Sequence, residues 1–346
     1  MSRLMIVPLL FSLFAAIALA AAPAGTPPGT PRGPRGAAPP AGSDAYVLGP
    51  DSKEQPGVPK GKLTAATITS KIYPDRVFNY QVYVPAQYDG TKPAALMVFQ
   101  NGTNYVRAVI PGTNRPGAWR IDLVLDNLIH RKDIPLIIGV FIDPTDNDGP
   151  QNVEEYASLD GKYAKFVIEE VMGAVGKQYN ITADPDGHAT SGFSFGGICA
   201  FTMAWERPDY FRKAVSCFGN FLSTAEPSAP ATSTAPAATA ARGDQPKRGV
   251  ADTYAALIRE TPIKPLKLYF QDGAYDTSNQ NGSAFVGNKQ MVAALEWANK
   301  NADTKGPTGP RYQVEHAWGD GGHTANHGAS IYPDILRWLW KGYEPK

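Results

Sequence analysis

The chain has 346 residues, of which 43% are hydrophobic, 10% aromatic and 19% charged, a composition that supports a sizeable core and excludes a disordered or fibrous polymer. Its 33 basic and 32 acidic side chains leave a formal charge of +1, so there is no basic field to hold nucleic acid. Two cysteines, Cys199 and Cys217, are too few for a disulfide scaffold, and no Cys/His spacing suggests a zinc site.

In chain order, Arg3 precedes an apolar run over residues 4–20 that ends in Ala18-Leu19-Ala20, the small-x-small pattern of a signal-peptidase site. The run contains Pro8 and is shorter than the roughly 20 residues of a membrane span, so residues 1–20 are expected to be a cleaved signal peptide, with export to the periplasm or medium and no stable membrane insertion. Loss of Arg3 with this leader would leave basic and acidic side chains equal in number. Residues 21–43 hold almost nothing that can be buried, and their prolines favour an extended, solvated linker. The folded domain is expected over residues 44–346. Inside it, a second low-complexity stretch, residues 223–249, reads as a surface loop insertion, because long loops add little closure entropy.

Eight strands are expected at residues 63–72, 77–84, 94–100, 135–142, 189–193, 213–218, 267–271 and 311–317. The first two alternate β-branched and aromatic residues around Tyr73-Pro74-Asp75-Arg76 and read as an antiparallel pair. Several later runs are short and continuously apolar, as strands covered on both faces of a parallel sheet are. Helices fit between them at 121–130, 163–179, 196–207, 288–301 and 331–341, so the expected architecture is a mostly parallel eight-stranded sheet flanked by helices.

Directly after the fifth strand stands Gly192-Phe193-Ser194-Phe195-Gly196, followed by an apolar helix. A G-x-S-x-G in strand-turn-helix context is a nucleophile elbow: the turn projects the Ser194 hydroxyl into a cleft, and the two glycines allow a backbone approach that a Cβ would block. A serine so placed needs a general base oriented by a carboxylate, following in the order acid, then histidine. The seventh strand is followed by Asp272 and Asp276, of which Asp276 is preferred because Asp272, hard against the strand, suits a turn-capping role. The eighth is followed by Gly319-Asp320-Gly321-Gly322-His323, with His327 four residues on. His323 is the expected base and His327 a cap or supporting partner; His130 and His188 read as surface or capping residues, and His316 as part of a strand. The oxyanion hole is expected from the backbone N–H groups of Phe195 and Asn101. Tyr105, Trp119, Phe195, Tyr275 and Trp318 are candidate pocket aromatics, with core packing the equal alternative. Cys199 and Cys217 fall on the elbow helix and the next strand, as buried thiols or as a disulfide pair.

The segment Tyr46 to Lys53, the run Tyr83 to Asp89, the elbow with its A-F-T-M-A-W-E-R-P-D-Y-F-R-K continuation, F-Q-D-G-A-Y-D and G-D-G-G-H together resemble the esterase family of enterochelin esterase-like and feruloyl esterase-like proteins, over nearly all of residues 44–346. The resemblance implies an α/β-hydrolase fold and hydrolysis of carboxylic esters, with Ser194, Asp276 and His323 matching the family's catalytic positions. It also implies an Arg-Ser pair ahead of Glu155-Tyr156, where this chain has Gln151-Asn152-Val153, so that an arginine suited to an anionic substrate group is replaced by Asn152.

The leading expectation is therefore an exported serine esterase acting on an acyl or feruloyl-type ester of a small molecule or carbohydrate, with no metal or cofactor called for. Acyl transfer to a sugar would use the same triad, differing in the second nucleophile. A non-catalytic binding module is the third class, disfavoured because such a scaffold has no use for a strained elbow.

Overall fold

A computed structural model describes residues 46–106, 119–146, 150–222, 250–279, 281–302 and 309–345, within one compact unit spanning Pro39–Lys346. The signal peptide, the 21–43 linker and the 223–249 insertion expected above lie outside the described residues.

Eight strands form one sheet: β1 (Lys62–Thr69), β2 (Val77–Val84), β3 (Ala95–Gln100), β4 (Ile137–Ile142), β5 (His188–Phe193), β6 (Lys213–Cys217), β7 (Lys267–Tyr275) and β10 (Gln313–Gly322). The intervening β8 (Ser278–Asn279) and β9 (Gly282–Ser283) make a separate two-residue hairpin. The strand order is β1-β2-β4-β3-β5-β6-β7-β10; β2 runs antiparallel to β1 and β4, and all other neighbours are parallel. This is the mostly parallel sheet expected from the sequence, and its parallel part sends the carboxyl ends of β3, β5, β6, β7 and β10 to one edge.

Period-two alternation explains why the central strands read as continuous apolar runs. In β3, Leu96 and Val98 enter one core, whereas Ala95, Met97 and Phe99 enter the other, and all six residues are buried. The second core is closed by α2 (Ile121–His130) and α9 (Ala325–Trp340), through Val124, Leu128, Ile335 and Leu339. The first is closed on the opposite face by α4 (Lys162–Phe166), α6 (Phe195–Glu206), α7 (Val250–Glu260) and α8 (Ala284–Asn301), through Phe166, Phe201, Tyr254 and Leu295. The helix expected over 163–179 is broken by a π-helical turn at Val167–Val171 and ends with α5 (Met172–Val175). Two short helices, α1 (Gly102–Tyr105) and α3 (Pro150–Tyr156), follow β3 and β4 at the carboxyl edge, and neither they nor α7 were expected.

The last two ladder strands run past their expected ends. Trp318 pairs with Asp272 and Gly319 with Gly273, followed by a register shift before Gly322 meets Tyr275. The glycines explain the extension: a Cβ on Gly273 would lie 2.0 Å from the Gly321 carbonyl oxygen, so the two backbones approach as closely as they do only without side chains there.

Candidate active site

Ser194 sits between β5 and α6 at φ 56° and ψ −126°, a conformation that non-glycine residues adopt at a cost of about 1–3 kcal/mol. Three backbone hydrogen bonds hold it: its N–H donates to Cys217 O at 3.1 Å, and its carbonyl accepts from Gly197 N at 3.0 Å and Asn220 N at 3.2 Å. The flanking glycines are required by contact. A Cβ at Gly192 would lie 2.0 Å from Gly196 O, and one at Gly196 would lie 2.2 Å from Asn101 Oδ1.

Farther along the same edge, Asp276 follows β7 and His323 follows β10. His323 Nδ1 lies 2.6 Å from Asp276 Oδ1, with the imidazole about one third exposed and the carboxylate fully buried. Thr277 N–H donates to the same oxygen at 2.5 Å. Among the described residues no hydrogen bond joins Ser194 Oγ to His323; the side chain of Phe218, at the end of the intervening β6, lies 5.5 Å from the His323 ring.

The alternative residues are accounted for. Asp272 is not in a turn but inside β7, fully buried, with Oδ1 accepting from Gly273 N–H and Oδ2 from Asn288 Nδ2, each at 2.7 Å. Burial, followed by the hydrogen bond to Asp276 and that group's charge, pushes the Asp272 carboxyl up to about 9. Burial acts in the same sense on Asp276, but hydrogen bonds from His323 and Asp272 outweigh it and hold Asp276 below the usual carboxylate range. His327, in the first turn of α9, is buried under the glycine loop, and a Cβ at Gly319 would lie 2.2 Å from its Nε2. Burial lowers its pKa and so favours the neutral ring. Tyr46 stacks on it at 4.1 Å and donates its hydroxyl to Asp320 at 2.5 Å, clasping the loop that carries His323. No local pattern points to that clasp, since its partners lie 274 residues apart.

At the other side of the elbow, Phe195 N–H is at the first position of α6, where a helix offers no internal acceptor. Asn101, the other expected donor, has φ 62° and caps α1, but its N–H already donates to Tyr156 Oη at 3.2 Å. Tyr156 of α3 is a site residue missed in the sequence.

Of the candidate aromatics, Tyr105 and Trp119 prove to be core: both are at most 1% exposed and pack with Phe99, Phe193 and Tyr332. Phe195 and Trp318 are half-buried and Tyr275 is exposed, at the carboxyl edge. Cys199 and Cys217 are free buried thiols, both pushed above the usual thiol range by burial. His188 is not a surface residue; it opens β5 buried, with its ring nitrogens 3.1 Å from Tyr210 O and 2.7 Å from Thr182 O. Asn152 is buried on α3, one turn before Tyr156, and Arg76 reaches that helix to pair with Glu154 and, at 2.8 Å, Glu155. Among the described residues no cluster of three or more His, Cys, Asp or Glu is arranged to hold a metal ion, and no helix is long and apolar enough to cross a membrane.

The fold has known relatives. The enterobactin esterase of Shigella flexneri, solved with 2,3-dihydroxy-N-benzoyl-glycine, superposes with a TM-score of 0.58 at 18% identity, covering 82% of this chain and 61% of that one. The ferric enterobactin esterase of Salmonella typhimurium gives 0.58 at 17% identity, with 84% and 60% covered. The CE1 ferulic acid esterase of the anaerobic fungus Anaeromyces mucronatus gives 0.56 at 15% identity, with 85% and 96% covered. The chain thus spans about three fifths of the enterobactin esterases and nearly the whole of the ferulic acid esterase. No curated protein matches it. A model of the esterase family, described as "putative esterase", matches residues 72–324, from the turn before β2 to the residue after His323. With well over half of its length matched, and with the sheet and helices of an α/β hydrolase, the chain belongs to this esterase family, a family of carboxylic ester hydrolases.

Proposed function

We propose that the chain is an exported serine esterase that hydrolyses acyl or feruloyl-type esters, of the kind attached to carbohydrate, through Ser194, His323 and Asp276. The observation that carries this reading is the 2.6 Å Asp276–His323 contact on the sheet edge that also presents Ser194 in its strained elbow. Asp276 accepts the Nδ1 proton of His323 and so leaves Nε2 free to take the Ser194 hydroxyl proton. Ser194 Oγ attacks the ester carbonyl, the alcohol leaves with the proton returned by His323, and water repeats the sequence to release the acid. Phe195 N–H and Asn101 N–H receive the oxyanion. The 3.2 Å bond from Asn101 to Tyr156 is long and neutral, and a charge-assisted bond about twice as strong replaces it. The ferulic acid esterase likeness, which covers nearly all of that chain, favours the feruloyl class.

The test is a panel of aryl, acetyl and feruloyl esters. Ser194→Ala and His323→Ala are each expected to lose about 10⁴- to 10⁶-fold in kcat, with Asp276→Asn losing somewhat less. A Ser194→Ala enzyme that keeps its activity refutes the mechanism, and His327→Ala proving worse than His323→Ala reassigns the base. Export rests on the apolar run before Ala20, and the intact mass of secreted protein should show loss of about 20 residues; a full-length, membrane-bound product refutes it.

A further inference from the structure

Four residues before the triad acid lies a second carboxyl that the mechanism above does not use. Asp272 and Asp276 are both buried, and Asp276 N–H donates to Gly273 O at 2.9 Å, which folds the end of β7 back so that each carboxyl acts on the other's ionisation. Two carboxylates so placed cannot both ionise unless cations flank them. Among the described residues no lysine or arginine pairs with either. The titratable groups facing the pair are His323 and His327, which act on Asp276, and the Cys217 thiol on β6, which acts on Asp272; from α8 the neutral Asn288 amide reaches Asp272. Asn288 Nδ2 has two protons and three oxygens within 3.0 Å, Gly219 O, Ala284 O and Asp272 Oδ2, so it cannot neutralise a second anion. Asp276 Oδ1 is satisfied by His323 and Thr277, whereas Asp276 Oδ2 is buried and receives no N–H or hydroxyl donor. An unpaired carboxylate oxygen at full burial is costly, and with His323 and Thr277 both taken by Oδ1, the remaining group that acts on Asp276 is the Asp272 carboxyl.

We propose that Asp272 is a positioning residue: its carboxyl keeps a proton at neutral pH, donates it in a hydrogen bond to Asp276 Oδ2, and so fixes that carboxylate with Oδ1 aimed at His323. Asp276 then bears the single negative charge of the pair, the state an imidazolium formed at His323 requires. The Gly273 N–H and the Asn288 amide orient the Asp272 carboxyl, which explains why a buried asparagine stands on α8 at that point. The pKa shifts of the two groups, up for Asp272 and down for Asp276, agree with a proton held on Asp272.

The inference rests on the esterase reading, and the experiment separates the two. The full chain is assayed from pH 6 to 10 on a neutral aryl ester, as wild type, Asp272→Asn, Asp272→Ala, Asp276→Asn and Ser194→Ala. An active Ser194→Ala enzyme sinks the mechanism itself; an inactive one leaves the Asp272 variants to decide this proposal. Wild-type kcat should fall above about pH 9, where Asp272 loses its proton and two anions face each other. Asp272→Asn keeps a donor toward Asp276 and should retain kcat within about threefold at pH 7.5 while losing the alkaline fall. Asp272→Ala should lose about tenfold or more in kcat with KM nearly unchanged; if circular dichroism shows it unfolded, the Asp272→Asn profile alone decides. An Asp272→Asn enzyme with the wild-type alkaline fall, or one as damaged as Asp276→Asn, overturns the proposal.

Discussion

Asp272 and Asp276 share one chemistry, and each accepts a backbone N–H; what separates them is the second group each carboxyl touches, an asparagine amide for the first and an imidazole for the second. Residue types and chain order were enough to nominate Ser194, Asp276 and His323 as a candidate triad, and the structure puts the last two in contact. They could not show that Asp272 lies within a strand, because the pairing that buries it comes from β10, more than forty residues later. Tyr46, Tyr156 and Asn288 were missed for the same reason: each acts through a partner distant in the chain. Selectivity for substrate charge also belongs to single residues. Asn152 stands on α3 where the resemblance implies an arginine, and the cations that pair with this helix are committed, Arg76 to Glu154 and Glu155 and Lys162 to Glu154. With asparagine at position 152, a substrate carboxylate would forgo the bidentate guanidinium partner that an arginine there would offer, a difference of about 1–3 kcal/mol. In competition assays, kcat/KM for a neutral feruloyl or acetyl ester should exceed that of a matched ester bearing a free carboxylate by about tenfold or more; preference for the anion would disprove it.

At the level of elements, apolar period and punctuation located every ladder strand and the ends of α2 and α6 almost to the residue. The strand ends were misplaced where glycine is dense. Glycine has weak strand preference, so the stretches around Gly273 and Gly319 to Gly322 read as loops, yet their lack of side chains is what lets β7 and β10 continue side by side toward the site. The short helix α1 escaped notice because it is a single turn whose cap, Asn101, takes a left-handed conformation without side-chain capping. The elbow offers the sharpest test of how two elements constrain one another. At Gly192 the nearest atoms to an added Cβ are backbone atoms of Gly196, which cannot rotate away. Gly192→Ala should therefore lower the melting temperature by on the order of 5 °C and reduce kcat at least about tenfold as the turn carrying Ser194 shifts. Unchanged melting and turnover would mean the elbow has slack that the contacts do not show.

Across the whole molecule, the ladder order separates what is close in space from what is close in the chain. Ser194 follows β5, Asp276 follows β7 and His323 follows β10, and β10 joins the sheet only through β7. Contacts of such long sequence separation form late in folding, because the closure entropy of the intervening chain must be met before they stabilise anything. β10 follows the other seven strands of the sheet in the chain, so during synthesis the Asp276–His323 contact cannot form until β10 itself has emerged. A chain emerged only as far as β7 can hold the elbow, whose backbone partners Cys217 and Asn220 precede that strand, but it lacks His323, the base of the proposed mechanism. In the proposed mechanism, the order of the strands thus ties turnover to the docking of β10 against β7.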